Sequence, residues 1–393
     1  RCKPLVAGRT AATAGNTFHY EESGLNRKER DSAPESRIKT MLEQNEIQFP
    51  HLGIDLHVDS TAFQIFGIDI QWYGLLITCG LLLAMIYAFH NMRSYGVHPD
   101  RAIDTIIGGI IGAIVGARAY YVILEWDNYA GDWKRIFNLR QGGLAIYGGL
   151  IGALVVGCII AKIRKVRLLP LLDLCGAGFL LGQGIGRWGN FFNQEAFGCN
   201  TNSIFGMTGG TIQNWITNVY PTTNFCQNFG KTMDAATPVH PCFLYESFWC
   251  LLGFVVLAIC GKKFRKFDGQ IFIMYIGWYG LGRFFIEGLR VDSLVIGNMR
   301  ISQLIAGICV VVSVILLLVI GGRVRRMGSD YQLYCNTEAC KQMMAELDAK
   351  REASGKKAAA SVALDSAKEP EDETSEPEET SEAKTDAPEE NDK

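Results

Sequence analysis

The sequence predicts an all-α polytopic membrane protein of about seven transmembrane helices, with its N-terminus outside and its C-terminus cytoplasmic. Three observations predict it. Several apolar runs reach the roughly 18 residues needed to cross a hydrocarbon core of about 30 Å. The connectors between the runs alternate in charge. Glycine, at 43 of 393 residues, clusters inside the runs. Whole-chain averages conceal this pattern. The chain is 48% hydrophobic and 20% charged with a net charge of -2, but residues 368–393 alone hold 12 acidic and 3 basic side chains. Removing that tail leaves a basic, apolar body and all but excludes a soluble fold.

The runs fall at about 72–89, 103–123, 144–161, 168–185, 243–260, 271–287 and 305–320. The first connector carries Arg93 and Arg101, the third Lys162, Arg164, Lys165 and Arg167, and the fifth Lys262, Lys263, Arg265 and Lys266. Arg323, Arg325 and Arg326 follow the last run. In the even connectors Asp127, Asp132, Glu195, Asp234 and Asp292 offset the bases. Because basic connectors stay on the cytoplasmic side, the odd ones and the C-terminus are expected inside. An outside N-terminus must be translocated, yet residues 1–50 hold no hydrophobic signal stretch. Met41 resolves this if the working polypeptide starts near it.

Three regions follow. Residues 1–62 form an N-terminal extension, of which 1–40 are expected outside the native core. Residues 63–326 form the transmembrane domain, with a long outer loop at 199–241. Residues 327–393 are expected to be a disordered acidic cytoplasmic tail, too poor in apolar side chains to order itself. Gly108, Gly112 and Gly116 recur every four residues, so they share a helix face where a neighbouring backbone packs closely. Six of the twelve cysteines, Cys79, Cys158, Cys175, Cys250, Cys260 and Cys309, lie in apolar runs and behave as small hydrophobes. Cys199 and Cys226 share a polar loop and can pair if it faces an oxidising space. No cysteine or histidine cluster has metal-ligand spacing, and no metal or organic cofactor is indicated. The short basic connectors fit topology control, and nucleic-acid binding is unsupported.

The chemical signal lies where charge is expensive. Arg187, Asn190, Asn193 and Glu195 crowd the end of the fourth run, where ionisable groups cost a few kcal/mol unless paired or hydrated. If the segment stays helical, Asn190 shares the face of Arg187, and Glu195 falls on about the same side two turns on. A structural Arg187–Glu195 pair stapling the helix end is the plainer reading. The sixth run repeats the theme with Arg283 and Glu287 at i,i+4, where an intrahelical pair is available. The duplication at one membrane level favours a shared site, because guanidinium groups bind phosphate oxygens bidentately and lipid headgroups are the phosphates found at that depth. Tyr73, at the outer end of the first run, is an interface anchor or a cavity wall. His240 precedes the fifth run, which opens with Tyr245 and Glu246. The paired glycines around Tyr147, Gly142-Gly143 and Gly148-Gly149, mark a frayed helix end or a close ligand approach.

At this point the chain resembles the prolipoprotein diacylglyceryl transferases. Their signature, Gly-Arg-x-Gly/Ala-Asn-Phe-hydrophobic-Asn-x-Glu-x-x-Gly, is matched at every fixed position from Gly186 to Gly198. Further matches are Trp72-Tyr73-Gly74, the stretch Gly116 to Tyr121, Gly142-Gly143-Leu144 with Tyr147-Gly148-Gly149, Asp173, His240-Pro241 with Leu244-Tyr245-Glu246, and Arg283-Phe284 with Glu287 and Arg290. The resemblance runs from about Phe63 to Arg325.

It implies a bacterial cytoplasmic-membrane enzyme that moves the diacylglyceryl group of phosphatidylglycerol onto the lipobox cysteine of a preprolipoprotein and releases glycerol phosphate. The partners implied are phosphatidylglycerol, lipobox-containing preprolipoproteins and the lipid bilayer. Arg187 would bind the headgroup and Arg283 would stabilise developing charge, with Glu195 and Glu287 fixing the arginines. Tyr147 completes the candidate catalytic set. Asn190, Asn193 and Tyr73 would orient the headgroup, and Gly142, Gly143, Tyr279, His240 and Arg290 complete the substrate-binding set. Many relatives carry His at the position of Tyr147, and a neutral Tyr, with a reference pKa of about 10, is a poor base near neutral pH. Another group, or electrostatic lowering of the thiol pKa, must then serve. A transporter of an anionic solute is the rival class, but no convincing internal repeat supports it. A non-catalytic lipid-binding scaffold is the third.

Overall fold

The apolar runs are helices, and most of their ends lie close to where the sequence puts them, but the fourth and the last extend seven residues further, to Phe192 and Met327. The computed structural model describes residues 43–131, 133–138, 142–223, 232–291, 293, 295–296 and 299–366. The expectations that rest on Met41, Asp132, Cys226, Asp292 and residues 367–393 lie outside these. The helices are α1 (Trp72–Asn91), α2 (Pro99–Leu124), α3 (Ile146–Ile163), α4 (Leu168–Phe192), α5 (Gly210–Asn218), α6 (Cys242–Lys263), α7 (Gln270–Glu287), α8 (Ile301–Met327) and α9 (Glu338–Ser366). Two short helical turns, Trp126–Tyr129 and Trp133–Phe137, follow α2.

Six of these helices, α1 to α4, α6 and α8, are long and apolar enough to cross a membrane. The expected seventh span, α7, is helical but does not join that set. Its 18 residues include Gln270, Arg283, Glu287 and several amphipathic aromatics, which lower its hydropathy. It is nonetheless packed by α4, α6 and α8, so neighbours rather than lipid solvate much of its polar face. The chain is thus a helical, multi-pass membrane protein.

Packing follows the small residues. On α2, Gly112 faces the Gly152 carbonyl and Val156, while Gly116 faces Gly148 and Gly152. The four-residue glycine spacing therefore serves backbone approach between α2 and α3. The α6–α7 contact is set by two tryptophans. Trp249 Nε1 donates to the Trp278 carbonyl at 2.9 Å, Trp278 Nε1 donates to the Trp249 carbonyl at 3.0 Å, and the rings stack at 4.6 Å. Gly253 and Gly282 leave the space the rings fill. This reciprocal bond fixes the register of the two helices.

The N-terminus of α7 is capped from α4. Buried Asp173 accepts from Gly269 N at 2.8 Å and from Phe272 N at 2.9 Å, which satisfies orphan amides and places negative charge at the positive end of the helix.

The loops at the C-terminal ends of α4 and α7 have their own core. Strand β1 (Glu46–Phe49) pairs antiparallel with β2 (Ile54–His57) and with β5 (Thr208–Gly209). A hairpin of β3 (Thr61–Ile65) and β4 (Ile68–Gln71) leads into α1. Ile47 is buried with Phe191, Phe197, Met207, Val239 and Phe243. Residues 46–58 are therefore built into this loop core, where the sequence reads as an extension.

The chain divides into two units, Arg1–Lys341 and Gln342–Lys393. Beyond α8, where no secondary structure is expected, the chain makes two short 3-10 turns and then α9. Ala, Glu, Lys and Met are strong helix formers, and local propensity does not need a buried face. In the first unit, Asp268 accepts from Tyr334 N at 2.9 Å and Arg265 donates to Cys335 Sγ at 3.2 Å.

Candidate active site

Three helices converge on one polar cluster. The C-terminal end of α4 brings Arg187, the first turns of α6 bring Glu246, and the end of α7 brings Arg283 and Glu287. Glu246 takes Arg187 Nε on one oxygen at 2.6 Å and Arg283 Nη1 on the other at 2.6 Å. Glu287 takes Arg283 Nη2 at 2.7 Å, the expected i,i+4 pair. Burial divides the two signs of charge. The Glu246 and Glu287 side chains are 5% and 1% exposed, whereas Arg187 and Arg283 are 22% and 21% exposed. The carboxylates are spent behind the guanidinium groups, and the cationic faces stay reachable. Such an arrangement binds an anion and stabilises negative charge as it develops.

Arg187 does not pair with Glu195. Gln194 and Ala196 have positive φ, 50° and 57°, so the chain leaves the helix before the eight-residue extrapolation can hold. Glu195 instead accepts from Asn190 Nδ2 at 2.9 Å and Asn193 Nδ2 at 3.3 Å. Asn190 also accepts from Arg187 Nη1 at 3.4 Å. The signature residues thus form a chain from guanidinium to carboxylate through an amide. Tyr73 packs on the Gly189 backbone and lies within electrostatic reach of Glu195 and Arg187. Trp72 stacks on Phe192 at 4.6 Å.

The final signature glycine joins the loops. Gly198 N donates to the His240 carbonyl at 2.8 Å, Cys199 N to the Leu289 carbonyl at 2.8 Å, and His240 N to the Cys199 carbonyl at 3.0 Å. A Cβ on Gly198 would sit 2.8 Å from the His240 Cβ and 3.0 Å from the Leu289 carbonyl oxygen. Glycine is required where these backbones meet. The pairing ties the ends of α4 and α7 to the start of α6, so it holds Arg187, Arg283 and Glu246 in one frame.

His240 lies on this frame with Nδ1 3.2 Å from the Tyr245 hydroxyl. Burial holds its pKa below the usual 6.5, because desolvation disfavours the imidazolium. Arg290 is 9% exposed and lies within electrostatic reach of Arg283. With Arg300 it lines a pocket of about 210 Å³. Tyr279 lies one turn before Arg283 and stacks on Tyr275 at 6.2 Å.

The glycine-flanked segment is organised differently. Gly142 and Gly143 have φ of +76° and +79°, and both carbonyls accept from Arg118 Nη1 at 2.9 Å. Arg118 also donates to the Ile136 and Arg135 carbonyls, each at 2.7 Å, and is 7% exposed. One buried guanidinium thus gathers the loop before α3. Tyr147 stands in the first turn of α3, 66% exposed. Among the described residues no hydrogen bond joins Tyr147, Gly142 or Gly143 to the arginine cluster.

Two residues carry more than the sequence analysis gives them. Glu246 has no role there, although a carboxylate in the first turns of an apolar helix carries the same cost argument as Glu287. Arg118, a lone charge within the apolar run of α2, carried it too.

The family described as prolipoprotein diacylglyceryl transferase matches residues 60–319. The chain is 42% identical over 259 residues to the phosphatidylglycerol–prolipoprotein diacylglyceryl transferase of Finegoldia magna, covering 66% of this chain and 94% of that protein. It is 40% identical over 258 residues to the enzyme so named in Clostridioides difficile, covering 66% and 94%. The enzyme of that name in Bacillus mycoides is 39% identical over 283 residues, covering 72% of this chain and 98% of its own length. With the signature chain, the shared carboxylate and the membrane helices already in place, these matches settle the family: the chain belongs to the prolipoprotein diacylglyceryl transferases.

Proposed function

We propose that this protein takes phosphatidylglycerol from the bacterial cytoplasmic membrane, transfers its diacylglyceryl group to the lipobox cysteine of a preprolipoprotein, and releases glycerol phosphate. One observation carries the reading. Two guanidinium groups from different helices share the buried Glu246 carboxylate and keep exposed faces, a geometry suited to one phosphodiester.

The chemistry is displacement at the glyceryl carbon that bears the phosphate ester. The cysteine sulfur forms a bond to that carbon, the carbon–oxygen bond to phosphorus breaks, and its electron pair leaves with the phosphate. Arg187 binds the phosphate in the ground state, and Arg283 takes up charge as the leaving oxygen develops it. Asn190, Asn193 and Tyr73 orient the headgroup. Glu195 holds the two asparagines, and Glu287 holds Arg283. His240, Tyr279, Arg290, Gly142 and Gly143 are assigned to substrate binding, and Tyr147 is given no proton-transfer step. The thiol loses its proton more readily beside two cations, because they favour the thiolate.

The basic odd connectors support an orientation with the cluster at the outer leaflet, where a translocated cysteine arrives. We assign the catalytic domain to residues 63–326, and the proposed reaction does not draw on the acidic tail.

Labelled phosphatidylglycerol and a lipobox peptide test the reading. A thioether adduct with stoichiometric glycerol phosphate supports it. Solute flux without adduct would assign a transporter, and lipid binding without adduct a scaffold.

A further inference from the structure

One turn below the arginine layer, the same three helices build a second polar layer. Gln183 precedes Arg187 by one turn of α4, Tyr279 precedes Arg283 by one turn of α7, and Cys250 follows Glu246 by one turn of α6. Cys250, Tyr275 and Tyr279 belong to one packed cluster. Gln183 Nε2 donates at 3.1 Å to the hydroxyl of Tyr275, which lies one further turn down α7, while Gln183 Oε1 is buried with no hydrogen-bond partner among the described residues. Gln183, Tyr275 and Tyr279 are half-buried, as are the arginines above them.

The donor count is informative. Amide oxygen and nitrogen are interchangeable by rotation of the group. If the amide donates to Tyr275, one amide N–H and the Tyr275 O–H remain unused and the amide oxygen is left without a donor. If Tyr275 donates to the amide oxygen, both amide N–H groups remain unused. Either way two donors are left without a protein acceptor in an apolar surrounding, where an unmade hydrogen bond is costly.

A diacylglyceryl group offers the complement. It has two ester carbonyl acceptors and no donor, and its esters lie below the phosphate by about one helix turn, roughly 5.4 Å. We propose that Gln183 and Tyr275 hold the ester carbonyls of the bound lipid and make the site selective for diester over diether glycerophospholipids. This assignment rests on the diacylglyceryl-transfer reading above. A purely structural Gln183–Tyr275 bond between α4 and α7 is the alternative, and it would be indifferent to lipid linkage.

The test compares diester phosphatidylglycerol with its dialkyl ether analogue in mixed micelles with a lipobox peptide, scored as thioether formed. The wild-type enzyme is expected to favour the diester by about tenfold in kcat/KM, the scale of one net hydrogen bond. Gln183→Leu lowers only the diester value and brings the ratio to about one. Tyr275→Phe, which keeps the ring packing, provides the same readout if Gln183→Leu does not fold. Equal use of both lipids by the wild type, or an equal loss on both in the variants, overturns the assignment. Absence of any thioether from either lipid with the wild type overturns the transfer reaction itself, an outcome distinct from loss of linkage selectivity.

Discussion

The carboxylate of Glu246 lies 2.6 Å from Arg283 through one oxygen, and its other oxygen lies 2.6 Å from Arg187. Removing that charge leaves two guanidinium groups repelling each other beside an apolar helix. Glu246→Gln is expected to lower transfer by about 100-fold or more, on the scale of deleting an oxyanion donor. It should also destabilise the fold by about 3 kcal/mol, since breaking a buried pair costs more than the pair contributes. Rates in membranes and thermal melts in detergent check both.

Lysine cannot replace arginine at this site. An ammonium is a point charge and cannot hold Glu246 and a phosphate through separate N–H groups. Arg187→Lys is expected to keep at most about 1% of transfer, the loss set by one missing charge-assisted donor, and Arg187→Ala to abolish it. Thioether yield at saturating lipid measures this.

Tyr147 gives the opposite expectation. It is 66% exposed and makes no hydrogen bond among the described residues, so its hydroxyl has no position from which to act as a base. Tyr147→Phe should keep transfer within a few-fold of the wild type. A rate profile across pH 6 to 9, unchanged in shape, would agree.

The helices were legible because lipid imposes one requirement, a run of apolar residues, and the runs from Trp72 to Met327 meet it directly. The polar helix α7 is the exception: Arg283, Glu287 and its amphipathic aromatics lower its hydropathy, although its position was clear. The site was half legible. Arg187 and Arg283 stood out by the cost of charge in an apolar run, but their joint partner did not. The i+8 extrapolation to Glu195 assumed a continuous helix, which the positive φ of Gln194 breaks. Glu246 comes from a distant segment brought in by the Gly198, His240 and Leu289 backbone pairing, and no local spacing reports that contact. Arg118 is flagged by the cost of charge in an apolar run, but its partners are backbone carbonyls, which no side-chain spacing reports.

The histidine of the backbone frame joining α4, α6 and α7 has a defined pH signature. Burial holds the His240 pKa below 6.5, so the unfolded chain takes up a proton before the folded one does. Stability is then complete above about pH 6.5 and falls as pH drops from there toward the lowered value. His240→Asn should lose less melting temperature than the wild type between pH 7 and 5, with no difference between pH 7 and 8.

The tryptophan pair sets the register that brings Glu246 to Arg283. A Cβ on Gly282 would collide with the Trp249 ring. Gly282→Ala should destabilise the protein by about 1–3 kcal/mol, the usual cost of overpacking, and lower transfer with it. Trp249→Phe loses one reciprocal hydrogen bond and should fall short of that effect. Melts of both variants rank them.

A double-mutant cycle tests most directly whether Arg187 and Arg283 grip one phosphate. Arg187→Gln, Arg283→Gln and the double variant are assayed for thioether formation from phosphatidylglycerol, with folding confirmed by melting temperature. A shared phosphate predicts strong coupling: each single variant loses most activity, and the double variant is little worse than either. Independent effects that multiply in the double variant, or near-normal transfer by Arg187→Gln, would contradict a joint site.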